Sequence, residues 1–347
     1  MDFLKNLARL TVYSVRLMIG YVVYLVSKKT PGYGHMSLVG LFCLTHGSSN
    51  DALSRAIGAV RRPYRLAKAD GVLGDMSASE RREPVLAQLR GRGYYVFPKC
   101  VPEPLCDRLL EFAVSHPCKT RKMDRGGPGG LIQTVYPRSA PEAVRYDFEP
   151  QDLLDNQDVQ TLLADLSLVA LAQSYLGARP VADVLTMWWH TSYSDIPDSE
   201  AAQYFHFDMD RPKWLKYFIY LTDVEPANGP HSFIAGSHRT RGIPPHLLRK
   251  GYSRLQDAEV AEVFDRHDFI EFAAPRGTII AEDTRGLHKG KHVEKGDRLV
   301  LQIQFSNSLF GALQPRAKLG SGLCTDLRDR IEQFPGLYAL YLRQGAR

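Results

Sequence analysis

An α+β fold, with a double-stranded β-helix (jelly-roll, cupin-like) core braced by helices, is what the order of sequence patterns predicts. After an apolar N-terminal helix and a stretch at 27–78 that reads as irregular or short-helical, helical patterns dominate as far as residue 176, and short strand patterns separated by Gly, Pro, Asn and Asp turns follow. Residues 83–90 and 104–115 read as helices, the second through Leu105, Leu109, Leu110 and Phe112, and 93–98 reads as a strand between them. Residues 152–176 read as one long amphipathic helix, closed by Gly177 just past its end. The period then changes from helical spacing to alternation, giving strands at 184–191, 202–209, 216–222, 269–272, 278–282 and 298–306.

The chain has 347 residues, 44% hydrophobic and 24% charged, which is the composition of a globular protein with a sizeable core. The spacing divides it into an N-terminal extension, residues 1–80, and a main domain, residues 81–347. The net charge of +6 is spread along the chain. Its densest groups, Arg61, Arg62, Arg65 and Lys68 and then Arg81 and Arg82, carry no interleaved aromatic platform, which argues against a nucleic-acid partner. Cys43, Cys100, Cys106, Cys118 and Cys324 are odd in number and lack paired C-x2-C spacing, so a reducing, cytoplasmic setting is expected.

Near the N-terminus, Leu17 to Val26 is an apolar run of ten residues between Arg16 and Lys28-Lys29. Such a run is short beside the ~20 residues a transmembrane helix uses, and no small-x-small cleavage site follows Val26. An uncleaved helix is expected instead. Leu4, Leu7, Ala8, Val12, Val15 and Ile19 recur at helical spacing, which leaves two uses for residues 4–29: packing on the body or peripheral contact with a membrane.

The candidate chemistry begins at Gln203-Tyr204-Phe205-His206-Phe207-Asp208. Residues two apart on a strand share a face, so His206 and Asp208 would project together as an imidazole and a carboxylate, two corners of the facial triad typical of non-haem iron sites. A third ligand must come from elsewhere, and His288, after an apolar strand and the turn Asp283-Thr284-Arg285-Gly286, is the candidate. Ten residues later Arg298 opens a strand on which Arg298, Gln302 and Gln304 share one face and Leu299, Leu301, Ile303 and Phe305 the other. That polar face is either solvent-facing or the lining of a cavity in which Arg298 holds a carboxylate.

Residues of about 85 to 310 resemble the phytanoyl-CoA dioxygenase-like family of Fe(II)/2-oxoglutarate oxygenases. The landmarks run in order: Gly93 to Pro98 with Pro104-Leu105-Cys106, Ser174-Tyr175-Leu176-Gly177, Gln203-x-x-His206-x-Asp208, and Leu221-Thr222-Asp223 through Asn228-Gly229-Pro230 to Ala235-Gly236-Ser237-His238. His288 and Arg298 fall where that family has its distal ligand and its 2-oxoglutarate arginine. Lys289-Gly290-Lys291-His292 departs from the family by being more basic.

The resemblance implies Fe(II) on His206, Asp208 and His288, 2-oxoglutarate on Arg298 and O2 as the third reactant. It also implies a structural role for His238 and C–H hydroxylation with release of succinate and CO2. Metal-bound histidines need supporting partners, for which Gln203, Gln302 and Gln304 are candidates, Gln203 and Gln302 also as cofactor-binding groups. The carboxylate Asp208 argues for hydroxylation over halogenation. For the substrate, a small organic, saccharide or lipid-linked molecule, the aromatic residues near the motif offer Trp189, His190 and Trp214, with Met187, Trp188 and Tyr193 beside them. A metal-dependent cupin-type enzyme without 2-oxoglutarate and a non-catalytic binding protein are the alternatives.

Overall fold

A computed structural model describes residues 2–124, 127–251, 253–313 and 317–342. It is a mixed structure of helices and antiparallel sheets. The N-terminal part is helical: α1 (Asp2–Ser27), α2 (Gly32–Thr45), α3 (Ser48–Val60) and α4 (Ser79–Arg92). Then come β1 (Tyr94–Phe97), α5 (Glu103–Ser115), β2 (Cys118–Asp124), β3 (Gly127–Thr134) and β4 (Arg145–Asp147). Helices α6 (Pro150–Asp155), α7 (Gln157–Leu163) and α8 (Leu166–Leu176) lead into the strands that carry the site. These are β5 (Val181–Thr191), β6 (Trp214–Tyr220), β7 (His231–Ile234), β8 (Phe269–Glu271), β9 (Ile279–Glu282), β10 (His288–Gly290) and β11 (Asp297–Ser306).

Two sheets form among the described residues. The larger has the order β1-β9-β6-β11-β5-β4-β2-β3 and the smaller β10-β7-β8. Alternation divides the larger sheet's faces. Leu215, Tyr217 and Ile219 of β6 and Leu299, Leu301 and Ile303 of β11 pack into the main core, with helix residues such as Leu168 and Leu171. The opposite face carries Trp188, Phe218, Tyr220, Ile280 and Val300, which pack with Phe233 and Phe272 beneath the smaller sheet. One face is thus an apolar seam against helices, and the other closes over a polar interior.

Two expectations need correction. Residues 152–176 form three helices rather than one, because Asn156 and Asp165 turn their side chains onto the following backbone: Asn156 accepts from Asp158 and Val159 N–H, and Asp165 from Ser167 and Leu168 N–H. Short polar side chains that satisfy the first N–H groups of a new helix interrupt an old one. Residues 202–209 are not a regular strand: isolated bridges at Phe205 and His206 and single backbone hydrogen bonds at Ala202 and Asp208 pair them with other segments.

A buried ion pair ties the segment after the candidate motif to the larger sheet. Arg211 donates from Nε and Nη2 to both oxygens of Asp183, each at 2.7 Å, and Gln304 and Ser306 donate to the same carboxylate. Both charges are almost completely inaccessible. Removing one partner strands the other, so Arg211→Ala is expected to lose about 3–5 kcal/mol in urea unfolding. The joint replacement Asp183→Leu/Arg211→Met is expected to lose less, since no charge is left uncompensated.

Candidate metal and carboxylate site

The motif segment runs antiparallel to the strand that carries His288. His206 N–H donates to the His288 carbonyl at 3.0 Å, His288 N–H returns to the His206 carbonyl at 2.9 Å, and Asp208 N–H donates to the Thr284 carbonyl at 2.8 Å. Backbone pairing therefore brings the histidines together although 82 positions (288 − 206) separate them. Their rings lie 4.3 Å apart, centre to centre. Behind them, Phe205, Phe207 and Met209 pack into a second core with Phe42 of α2 and Trp214, fixing the segment from its apolar side.

Each imidazole has one nitrogen committed. Nδ1 of His206 lies 2.9 Å from the Tyr204 carbonyl and Nδ1 of His288 lies 3.0 Å from the Gly286 carbonyl. A carbonyl only accepts, so on each ring Nδ1 carries a proton and Nε2 is the nitrogen left for a ligand, with its lone pair exposed once the ring is neutral. Both Nε2 atoms face Asp208: His206 Nε2 is 3.8 Å from Oδ1, and His288 Nε2 is 3.3 Å from Oδ2. Burial opposes the His288 charge, but the carboxylate raises that ring above the ordinary histidine value, so that when protonated it donates to Asp208. The three ligand atoms all fall within 4.8 Å of one another. Ligand atoms at ~2.1 Å from one metal and at right angles lie ~3 Å apart, so this set can hold a transition-metal ion after small side-chain adjustments.

The electrostatics keep Asp208 ionised. Burial alone would raise the Asp208 carboxyl, but the Lys216 ammonium, 2.6 Å from Oδ2, and His288 hold it well below the usual range. Lys216 also lies 3.3 Å from Asp210. Burial, and then the neighbouring His288, push His206 far below the ordinary histidine value.

Arg298 stands on the same polar interior, nearly inaccessible. Its Nη2 donates to His190 Nδ1 at 2.7 Å, across the β11–β5 pairing, and the Tyr220 hydroxyl lies beside the guanidinium, while Nε and Nη1 meet no acceptor in good hydrogen-bond geometry among the described residues. A buried guanidinium with open donors and no carboxylate partner is costly unless an anion completes it. Burial, and then Arg298 itself, keep His190 far below its ordinary value, so it stays the neutral acceptor this contact requires.

The remaining sequence candidates divide. Gln302 lies on the Arg298 face, opposite Phe218 of β6. Gln203 is buried; its Oε1 accepts from Asp198 N–H, and its Nε2 has no hydrogen-bond partner among the described residues. Trp189 does not reach the site: alternation turns it to the helix side, where its Nε1 donates to the Ala113 carbonyl, and it is Trp188 that faces the interior. Trp214 is fully buried in the second core and donates to Thr284 Oγ1, so it steadies the turn before His288 instead of forming a substrate wall. His238 stands outside the ligand group, with Nε2 3.2 Å from the Arg90 carbonyl.

Three residues escaped the sequence reading: Lys216, His231 and Glu282. His231 Nε2 lies 3.0 Å from both Glu282 oxygens, and its ring is 5.7 Å from that of His288. Lys216 had a visible signal, a lysine inside the otherwise apolar and aromatic run Trp214–Tyr220. Glu282 ends a strand buried at every position.

Set beside known proteins, the chain matches no family model and no curated protein. Solved structures give similarities of fold outline. The epimerase SnoN from nogalamycin biosynthesis, in complex with Fe3+, alpha ketoglutarate and nogalamycin RO, aligns at TM-score 0.47 and 17% identity over 78% of this chain and 96% of its own. HygX from Streptomyces hygroscopicus, with nickel and 2-oxoglutarate bound, aligns at 0.47 and 16% over 71% and 93%. EctD from S. alaskensis, in its apoform, aligns at 0.46 and 18% over 74% and 86%. With every one of these TM-scores below one half, the functional argument rests on this chain's own residues.

Burial pushes the Glu282 carboxyl up to about 8, against an ordinary value of about 4.3. Between those values the folded chain keeps a proton that the unfolded chain has lost, so the stability from this group is full below the lower value and fades as pH rises to the upper one. In chelator-treated protein, urea midpoints of wild type relative to Glu282→Gln are expected to decline across that window and level off above it.

Proposed function

We propose that this chain is an Fe(II)- and 2-oxoglutarate-dependent oxygenase of the phytanoyl-CoA dioxygenase-like kind. On this reading it has a double-stranded β-helix core and hydroxylates a C–H bond of a small organic, saccharide or lipid-linked substrate. The observation that carries the reading is the pairing of two features on one polar interior: the converging His206, Asp208 and His288, and the buried Arg298 with open donors. A metal site alone would serve many chemistries. A metal site with a carboxylate receptor beside it fits an oxidation that consumes a keto diacid.

His206 Nε2, Asp208 and His288 Nε2 would hold the iron, the donor set suited to ferrous iron with open positions. When bound, iron with 2-oxoglutarate supplies the O2 chemistry, in which the keto acid loses CO2 to become succinate and one oxygen atom enters the substrate C–H bond. Arg298 binds and orients the far carboxylate, and His190, held neutral, fixes the guanidinium. The Tyr204 and Gly286 carbonyls hold each ligand histidine in the tautomer that leaves Nε2 free. Trp188, Phe218 and Tyr220 keep water from the interior.

Anaerobic titration of Fe(II) with and without 2-oxoglutarate tests the reading, through the weak visible charge-transfer band of such chelates. The band is expected to require iron, 2-oxoglutarate and His206, and to vanish in His206→Ala. Losing a charged hydrogen-bond partner costs about 1.5–3 kcal/mol, so Arg298→Ala is expected to weaken 2-oxoglutarate binding by on the order of 10- to 150-fold. Metal binding with no 2-oxoglutarate effect would overturn the proposal in favour of a cupin-type enzyme.

His190→Phe keeps the packing volume and removes the acceptor for Arg298. It is expected to raise the KM for 2-oxoglutarate by roughly tenfold while leaving kcat within about twofold, as loss of uniform binding does. An equal fall in kcat would instead place His190 at the reacting centre.

A further inference from the structure

Helix α1 buries little of its apolar surface. Among the described residues, ten of the twenty exposed large hydrophobic side chains lie on it, from Leu7 to Val26, and Tyr33 and Met36 of α2 add two more. An apolar patch this concentrated on a soluble face marks a contact surface. At about 100° per residue, Val12, Val15, Met18, Ile19, Val22 and Val26 fall within an arc of roughly 120°. Lys5, Arg9 and Arg16, all exposed, follow directly on one edge of that arc.

The opposite side of α1 is already occupied. Tyr21 and Tyr24 set their rings against Phe310 of the body at 5.2 and 5.7 Å. α2 returns along the helix so closely that a Cβ on Gly20 would come within 2.9 Å of Gly34 Cα. The segment Lys5–Ser27 is long and apolar enough to cross a membrane, which the ten-residue run alone did not indicate. Fixed to α2 and Phe310 along one side, however, it presents only a strip.

Charge chooses the occupant. Residues 3–50 contain Lys5, Arg9, Arg16, Lys28 and Lys29 and no Asp or Glu. A second copy of this face would bring like charges together with nothing to compensate them, whereas lipid phosphates supply the missing sign. We infer that α1 lies in the plane of an anionic membrane surface, its Val12–Val26 strip sunk among the acyl chains and Lys5, Arg9 and Arg16 reaching the headgroups. The chain is then a peripheral membrane protein, whatever its catalytic activity.

The test is co-sedimentation of the full-length protein with vesicles of phosphatidylcholine alone or phosphatidylcholine mixed with phosphatidylglycerol. Wild type is expected to pellet with the mixed vesicles and to be released by salt. Val15→Glu/Val22→Glu, which spoils the strip, and Arg9→Glu/Arg16→Glu, which reverses the flank, are each expected to weaken binding by on the order of tenfold or more. Unchanged urea midpoints would show that both variants remain folded. Wild type left in the supernatant with both vesicles would overturn the inference, as would variants that bind like wild type. A dimer in light scattering that ignores lipid would assign the strip to a second copy and overturn it too. So would resistance of the membrane-bound protein to alkaline carbonate, the mark of a spanning helix.

Discussion

Two backbone hydrogen bonds, exchanged between His206 and His288, are the constraint on which the site depends. They close an antiparallel bridge between a segment with little regular structure and the edge of the smaller sheet. Because the bridge is made of main chain, it fixes where both Cβ atoms start, and the Tyr204 and Gly286 carbonyls then fix the ring tautomers. Asp208 is placed by the same pairing through Thr284. An irregular segment of this kind would be a poor carrier for ligands if its apolar side chains were loose. Phe205, Phe207 and Met209 are instead locked into the second core.

The interior that these bonds enclose is a problem of charge in a medium poor in water. Asp208 and Asp210 share the Lys216 ammonium, Asp183 is held by Arg211, and Glu282 shares a proton with His231. Each of these groups has a partner that is itself largely buried, the arrangement that keeps such groups affordable. Arg298 differs, because the groups beside its guanidinium, the His190 imidazole and the Tyr220 hydroxyl, are neutral. A guanidinium with no carboxylate beside it, amid balanced neighbours, is what gives the proposed site a direction, with the converging His206, Asp208 and His288 at one end and the open donors of Arg298 at the other.

The N-terminal helices answer to two environments at once. Their inner sides contribute to the second core, where Tyr24, Leu38 and Phe42 sit with Phe207 and Phe310. The same core supports the motif segment, so the helices that carry the exposed strip also brace one wall of the site. Whatever orients α1 at a surface therefore orients the whole body, since no loose linker separates the strip from Phe310.

Much of the site was legible in the sequence because its carriers are local. The alternation of Arg298, Gln302 and Gln304 against Leu299, Leu301 and Ile303 forecast a two-faced strand, and β11 is one. The H-x-D spacing put His206 and Asp208 together even though the strand expected there is only a bridged segment, since an extended backbone places residues two apart on one side with or without a full ladder. Sequence could not choose between Trp188 and Trp189, because a shift of one residue in the inferred phase exchanges the faces, and only the pairing with β11 fixes that phase. Nor could it show that Lys216 meets Asp208, that His231 meets Glu282, or that His190 is Arg298's partner. Those contacts join distant stretches of chain, and their existence is decided where the strands pair and the sheets close, by geometry that no local spacing encodes.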